Sequence, residues 1–533
     1  MKNKFLTLIS ACFLLAGCGI SDVDPSSSSN PSSPGDNDPA TIIEPDNGAK
    51  WAINNPNASS CPIRTSKDDV VYSDLFNLHN KVNISINMSN TELAKLEEDR
   101  SHGGKSEIYR LALSVTIYLT NGDNTFDWTF ENVGVRQKGG VFTRSQVLYG
   151  DQVNTSNHYK ISFDETFSDT SMYDQDFINA HKNNDYKDRE FLGLSGFDIK
   201  YDRNSDLTHI KEFYASEMYR ANGLIYQHVG LTTFEIWNSH GNFNFGLCYL
   251  FEPASKSYVK NALESGETYM NMPTWTNEKK GTYGVASAKY GDLYKATYGA
   301  QVAYDKGPDL TEDSIDDSSY QPTIGIKDDN YGVRYPIYER KTNKKDEYND
   351  DLLRNMINVV NTQSYEKVDQ VVDLEYLAKE EAVAFYIGNP DSFRYNYNNY
   401  QMYFRRTDGK MIILPIDNDR AFGIGETWEE GVSFVNRASL SPLSSKNMQG
   451  DNNRNPLLAK TILSTVNNKC KANYIAHLKR LKESDWVKEE TFNAYYEVAR
   501  ATYGGEATFA KSNGSNVSFG NFITNKITAV NNI

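Results

Sequence analysis

The densest group of side chains that could do chemistry lies between Asn389 and Gly423. Asp391 stands in a loop after a predicted helix, and Asp417 and Asp419 end an apolar strand. Residues i and i+2 of an extended strand point to the same side, so the last two carboxylates are expected to lie together. Two such carboxylates are poorly stabilised without a cation between them, and oxygen ligands suit Mg²⁺ or Mn²⁺. The spacing therefore predicts a divalent-metal site.

Three asparagines follow Asp391 within eight positions: Asn396, Asn398 and Asn399. A loop Asp, a downstream amide, a strand and then paired carboxylates is the order of a phosphoryl-transfer site. There one Asp orients the acceptor hydroxyl, an Asn helps to hold a metal, and a later Asp grips that metal on the nucleotide phosphates. Each piece alone has a plainer explanation, because Asp-x-Asp pairs are often solvated and asparagines often cap loops. The combination favours phosphoryl-transfer chemistry.

Hydrophobic periodicity predicts a β-rich first half around one helix. Alternating residues predict strands over 82–88, 111–119, 130–138, 159–163, 231–237 and 245–251. The helix is predicted over 208–221, and Asn222-Gly223 supplies its C-terminal stop.

The second half is predicted to be mostly helical. Helices are expected over 352–360, 374–387, 475–481 and 490–501, with two short strands over 400–404 and 411–416. The predicted fold class is α+β. It has a β-rich N-terminal lobe over 70–255 and an α-rich C-terminal lobe over 256–533, which carries an insertion at about 265–346.

The N-terminus has the form of a secretory signal. Two lysines precede an apolar run from Phe5 to Ala16, which is too short to span a bilayer. The box from Leu15 to Cys18 resembles a bacterial lipoprotein signal, which implies removal of residues 1–17 and lipidation of Cys18. An ordinary signal peptide with a chance cysteine is the alternative. Residues 18–69, rich in Ser and Pro over 21–40, are predicted to be a flexible tether. The implied location is the bacterial cell envelope, at the outer membrane or cell surface.

The charge composition of the chain bears on which partners it can bind. The formal net charge is −15, which disfavours nucleic-acid binding because each phosphate contact needs a local cation. Hydrophobic residues make up 39% of the chain, enough for a sizeable core. An exported compartment would permit one disulfide among Cys61, Cys248 and Cys470.

Several segments, in order, resemble the spore coat protein H (CotH) kinase family, whose members are atypical kinases with a protein-kinase-like fold. The resemblance covers roughly 70–533. It rests on VGVRQKGG (133–140), YKISFDE (159–165), SDLTHIKEFYASEMYRANGL (205–224), FGLCYLFEP (245–253), DLYKA (292–296), NPDSF (389–393) with NNYQMYF (398–404), and ILPIDNDRAFG (413–423).

The resemblance implies roles for individual residues. Asp391 takes the catalytic-loop position, with Asn399 at the Asn-Tyr position of the family and Asn396 at the spacing of ordinary protein kinases. Asp417 and Asp419 take the metal-binding positions. Three further residues are candidates for nucleotide binding: Lys160 as the strand lysine that contacts phosphate, Glu217 as its helix partner, and Glu252 at the border of the adenine pocket.

Each nucleotide-binding assignment has an alternative. Lys160 would otherwise be a solvent-facing strand lysine, Glu217 a surface glutamate, and Glu252 the end of a strand before a proline. The chain also departs from the family pattern, with Ile416 in place of a Trp before the Asp pair, a bulkier glycine segment, and Lys211 where an Arg is common.

The resemblance implies a surface-tethered atypical kinase. It would transfer a phosphoryl group from ATP to a protein hydroxyl, with Mg²⁺ or Mn²⁺. A first alternative is a binding or adhesion protein that keeps the fold without catalysis. A second is a metal-dependent glycosyltransferase, although the chain lacks the alternating strands and helices expected before that enzyme's Asp-x-Asp.

Overall fold

The computed structural model describes residues 61–101, 108–139, 144–254, 258, 291–297, 299–302, 324–328, 334–343, 350–406, 408–424, 439–447, 450–512 and 517–533. The signal segment, Cys18 and most of the predicted tether lie outside these residues. Within the described ranges, no helix has the length and apolar character needed to cross a membrane. Cys61, Cys248 and Cys470 are free thiols, so the disulfide that the compartment would permit is not formed.

Seven strands of the N-terminal half close into a barrel. They are β1 (Lys81–Asn87), β2 (Arg110–Asn121), β3 (Asn124–Gln137), β6 (Tyr159–Ser162), β7 (Gly196–Tyr201), β8 (Val229–Asn238) and β9 (Gly241–Phe251). Their order around the barrel is β1-β2-β3-β6-β7-β9-β8. Strands β8 and β1 are parallel, and the other neighbours are antiparallel. A small hairpin joins β4 (Leu148–Tyr149) to β5 (Gln152–Val153).

The alternation predicted for the first strand is confirmed: Val82, Ile84 and Ile86 are buried and their neighbours are more exposed. Strand β7 was not predicted, although it carries a residue of the site described below. It lies very close to β6, because a Cβ atom at Gly196 would stand 2.0 Å from the Ile161 carbonyl oxygen. Only glycine permits that approach, so Gly196 sets the position of β7.

The prediction of a single helix in this lobe is wrong, because the described residues form three α-helices: α1 (Asn90–Ser101), α2 (Gln175–His181) and α3 (Lys211–Ala221). Helix α3 begins three residues later than predicted. The carboxylate of Asp206 accepts hydrogen bonds from the backbone N–H groups of Thr208 (3.1 Å) and Lys211 (3.0 Å). It thereby satisfies donors that a helix start leaves unpaired, and the helix proper begins at Lys211.

The C-terminal half combines a second sheet with helices. The sheet order is β11 (Ile324–Asp328), β12 (Arg334–Arg340), β10 (Asp292–Ala296), β13 (Tyr400–Phe404) and β14 (Met411–Pro415). The helices are α4 (Asp351–Thr362), α5 (Tyr365–Val371), α6 (Leu374–Ile387), α7 (Pro456–Lys460), α8 (Lys469–Lys482), α9 (Glu489–Tyr503) and α10 (Phe519–Asn531). The mixture of helices and sheets confirms the α+β class.

The range predicted to be an insertion contributes to this sheet. Strands β10, β11 and β12 fall within 265–346, and β10 pairs with both β12 and β13. A polar, Tyr-rich composition obscured these strands in the sequence. Helix α6 packs against α8, α10 and β14 and is buried along nearly its whole length. The chain that follows α6 therefore leaves from a fixed point, and this chain carries Asp391.

Candidate active site

The loop after α6 holds Asp391 by a set of amide hydrogen bonds. The helix ends at Gly388, whose φ of 66° is left-handed, and whose Cβ, if present, would lie 2.4 Å from the Phe522 ring. The Asp391 carboxylate accepts from the side-chain nitrogens of Asn396 (2.5 Å), Asn398 (3.1 and 3.2 Å) and Asn399 (3.0 Å). The structure thus brings Asp391, Asn396 and Asn399 together as predicted, and it adds Asn398.

The loop after β14 carries Asp417 and Asp419. Strand β14 ends at Pro415, and Asp417 has a left-handed φ of 61°, a conformation that Asp tolerates better than most residues. The prediction that both carboxylates lie on extended backbone is therefore wrong. The loop nevertheless leaves both side chains partly accessible, at 39% for Asp417 and 21% for Asp419.

Backbone and amide contacts tie the two loops together. The Asn389 side chain donates to the Asp417 carbonyl oxygen (3.1 Å) and to Asn418 Oδ1 (3.0 Å), while Asn389 Oδ1 accepts from the Asp391 backbone N–H (2.9 Å). The Ile416 N–H donates to the Asn399 carbonyl oxygen (3.0 Å). These bonds fix the Asp391 loop against the loop of the two later carboxylates.

The lysine that reaches these carboxylates is Lys200 on β7. Its Nζ lies 3.2 Å from both carboxylate oxygens of Glu212 on α3, contacts Asp417 Oδ1, and lies 3.8 Å from Asp419 Oδ2. Only 7% of the Lys200 side chain and 1% of the Glu212 side chain is exposed. We refer to Lys200, Glu212, Asp417 and Asp419 as the Lys200 cluster. It joins a barrel strand, a helix and the loop after β14.

Lys160 and Glu217 lie elsewhere. Lys160 pairs with Asp198 (3.2 Å), which also binds Lys138 (2.9 Å); we call these three residues the Asp198 cluster. Glu217 pairs with Arg220 (2.7 Å) one turn along α3. The two residues assigned from the sequence as a lysine–glutamate pair are therefore not paired with each other.

A signal for the observed pair was present in the sequence. Phe197, Ile199 and Tyr201 alternate with Asp198 and Lys200, which is the pattern of a strand. This alternation identifies Lys200 as a strand lysine and therefore as a candidate for the site. Glu212 lies in the first turn of α3, which faces β7, whereas Glu217 lies more than a turn later.

Glu252, at the end of β9, is buried and bonded. Its carboxylate lies 3.2 Å from His228 Nδ1 and 3.4 Å from the His228 backbone nitrogen, and its own carbonyl accepts from the Gln227 side chain at 2.5 Å. These contacts link the strand end of β9 to the start of β8. The role at an adenine pocket stays a prediction.

Burial and mutual repulsion set the pKa values. Burial raises the pKa of the Asp391 carboxyl to about 6, with Asp419 and Asp417 adding to the effect and the amides of Asn396 and Asn398 opposing it. Burial likewise raises the pKa of Glu212 to about 8 in spite of Lys200. For Asp417, burial acts upward, but Lys200 and then Lys138 bring its pKa well below the usual value. Lys200 is one of several cations near the two aspartates, since Lys138 and Lys295 also act on Asp417, and Arg420 and Arg203 on Asp419.

The oxygen ligands available for a divalent metal are the carboxylates of Asp417 and Asp419. Across the described part of the chain, no three His, Cys, Asp or Glu side chains are grouped so as to hold a metal ion by themselves. Mg²⁺, however, typically uses one or two carboxylates and completes its octahedron with water and substrate phosphate. Asp417 and Asp419 supply two partly accessible carboxylates, so the residues fit such a metal.

Comparison with known proteins identifies the family of the chain. A family model described as CotH kinase protein matches residues 181–508. That is more than half of the chain, and the chain therefore belongs to the CotH kinase family, for which a kinase-like function follows at the level of the family. No curated protein matches the chain.

The extent of the match is informative. All members of the Lys200 cluster and Asp391 lie within 181–508, whereas Lys160 lies before it. The segments 133–140 and 159–165, on which part of the resemblance was based, also precede the matched range.

Proposed function

We propose that this protein is a CotH-type kinase with an atypical protein-kinase-like fold, which transfers a phosphoryl group from ATP to a protein hydroxyl with Mg²⁺ or Mn²⁺. The observation that carries the proposal is the Lys200 cluster next to Asp391. A strand lysine, a helix carboxylate, two accessible carboxylates and an amide-held Asp are the parts that phosphoryl transfer uses. Here they come from separate elements and converge.

Asp391 is proposed to accept the proton of the acceptor hydroxyl. Its three amide hydrogen bonds fix the direction of the carboxylate, and its pKa of about 6 is close to neutral, as suits a general base. Asn396, Asn398 and Asn399 are positioning residues in this scheme.

Lys200 is proposed to contact the nucleotide phosphates in place of Lys160, with Glu212 as the partner that holds it. Asp417 and Asp419 would hold the metal, which offsets charge on the phosphate oxygens when bound. Glu252 stays a candidate for the border of the adenine pocket.

The envelope location is part of the proposal. We infer from the box ending at Cys18 that the protein is lipid-anchored, with residues 18–69 as a tether. Changing Cys18 to Ser should release the protein from membranes or block its processing. Unchanged membrane fractionation together with an unchanged mature mass would contradict the anchor.

The test of catalysis separates two carboxylates. Asp417→Asn should weaken metal-dependent ATP binding strongly, because it removes a charge from the metal site while the left-handed backbone remains acceptable to Asn. Asp391→Asn should keep metal and nucleotide binding and lose transfer, by about 10²–10⁴-fold. Asp369→Asn is the matched control, because Asp369 is exposed and is not among the residues proposed to bind metal, nucleotide or acceptor.

Other outcomes identify the alternatives. A binding protein would show no transfer in the wild type, and its adhesion would not respond to either substitution. A glycosyltransferase would bind a sugar nucleotide in preference to ATP in the same titration. Failure of the wild type to bind any nucleotide or metal would contradict the kinase proposal.

A further inference from the structure

The ammonium group of Lys200 lies beside the two carboxylates that are proposed to hold the metal, those of Asp417 and Asp419. Its ammonium contacts Asp417, lies 3.8 Å from Asp419, and lies 3.2 Å from both oxygens of Glu212. We propose that Lys200 is a resident cation that competes with the divalent metal for Asp417 and Asp419, and that Glu212 retains the ammonium when the metal displaces it. This inference rests on the proposed function, because it uses the same metal carboxylates.

Competition follows from the limited number of oxygen atoms. A metal ion on these carboxylates would compete for Asp417 Oδ1, which the ammonium contacts, and the two cations would repel each other at such short range. The ammonium has three donors, so it can release the aspartates and keep its bonds to Glu212. With 7% of its side chain exposed, Lys200 cannot readily move into water instead.

The fold restricts how Lys200 can respond. Its backbone is held in β7, opposite Tyr249 of β9, and Glu212 is buried in the first turn of α3. Only side-chain rotation is therefore available, between the aspartates and Glu212. Asp417 and Asp419 are 39% and 21% exposed, so a metal ion can reach both carboxylates from solvent.

A consequence is coupling between metal and nucleotide. A metal ion that binds without nucleotide must displace the ammonium from Asp417, and no new acceptor replaces the contact that the ammonium loses. Phosphate that arrives with the metal provides new acceptors for the displaced ammonium, so each ligand should favour the other. The cluster would thereby disfavour metal loading in the absence of nucleotide.

The experiment measures Mn²⁺ binding without nucleotide, by electron paramagnetic resonance titration of the full chain. Lys200→Met should bind Mn²⁺ more tightly than the wild type, by about tenfold or more, since the competing cation is gone. Lys160→Met is the matched control: it also removes a strand lysine paired with an aspartate, but one that bonds Asp198. Its Mn²⁺ affinity should equal that of the wild type.

A second variant protects the result against misfolding. Lys200→Met leaves the buried carboxyl group of Glu212 without its partner, so the double variant Lys200→Met with Glu212→Gln also replaces that carboxyl group by a neutral amide. Both variants should show the tighter binding, with circular dichroism spectra like that of the wild type.

Equal or weaker Mn²⁺ affinity in both variants would overturn the inference. If, at the same time, wild-type Mn²⁺ binding in the presence of ATP still depends on Asp417, the proposed function stands and only the competition fails. If no form binds Mn²⁺ with or without ATP, both fail.

Discussion

The Asp198 cluster and the Lys200 cluster share strand β7 but have opposite charge balances. In the first, two ammonium groups share one carboxylate; in the second, one ammonium faces three carboxylates. The first is built from the neighbouring strands β6 and β7 and the residue that follows β3, whereas the second reaches from residue 200 to residues 417 and 419. Only Ile199 separates Asp198 from Lys200, and strand periodicity places both on one face.

The difference suggests different uses. Burial by itself would raise the pKa of Asp198, but Lys138 and Lys160 together hold that pKa well below its usual value. The carboxylate is thus fully compensated and is expected to serve stability. The Lys200 cluster places three carboxyl groups around one ammonium group and is partly accessible, so it is expected to serve binding.

The largest effect should come from replacing Lys200, with Lys160 as the comparison. Lys200→Met should reduce phosphoryl transfer by about 10²–10³-fold, as expected when one preorganised donor to a developing charge is removed. Lys160→Met should leave transfer close to the wild-type rate. Steady-state assays with ATP and a common acceptor measure both. Equal losses in the two variants would erase the functional distinction between the clusters.

The next effect is a pH dependence at Asp391. Transfer needs the ionised carboxylate, so kcat/KM should fall about tenfold per pH unit below the pKa of about 6 and level off above it. Asp419→Asn removes a neighbouring negative charge and should move this midpoint downward. A midpoint near 4 in the wild type would contradict the buried environment of Asp391.

Asp391 should also make the free energy of unfolding depend on pH. Its folded pKa lies above the unfolded value, so the native state holds the proton more tightly. Its contribution is present below about pH 4 and is lost as pH rises through about 6. The difference in unfolding free energy between Asp391→Asn and the wild type should therefore increase, in favour of the variant, over that range. A difference independent of pH would count against the raised pKa.

The third effect is on folding. Asp198→Asn should lower the free energy of unfolding by about 2–3 kcal/mol, because it leaves two lysines without their shared carboxylate, although both are partly exposed. Asp417→Asn should change it by less than about 1 kcal/mol, since its side chain is 39% exposed. Urea denaturation of the two variants gives the comparison, and the reverse order of stabilities would sink it.

The smallest effect concerns the two glutamates of α3. Glu217→Gln should alter stability by less than about 0.5 kcal/mol and leave nucleotide binding intact, because its partner Arg220 lies on the same partly exposed turn. Glu212→Gln should weaken nucleotide binding by loosening Lys200. Equal behaviour of the two variants would mean that the position of Glu212 beside β7 has no functional weight.

Local sequence determined much of the candidate site. Asp391, Asn396 and Asn399 are within eight positions of one another, and α6 and β13 are continuous periodic segments, so their proximity could be predicted from short-range pattern alone. The Asp-x-Asp after an apolar strand was equally visible, and the family match contains it. The α+β class followed from the change in periodicity along the chain.

Tertiary structure decided which lysine and which glutamate join that site. Lys160 and Lys200 both stand on short strands, and Glu212 and Glu217 both stand on α3, so side-chain type cannot choose between them. Lys200 is positioned by the pairing of β7 with β6 and β9 in the barrel, and Gly196 permits the close approach of β7 to β6. Glu212 is positioned by the start of α3, which Asp206 sets. These are long-range constraints. The contact from Lys200 to Asp417 spans 217 positions of the chain, and no local pattern encodes it.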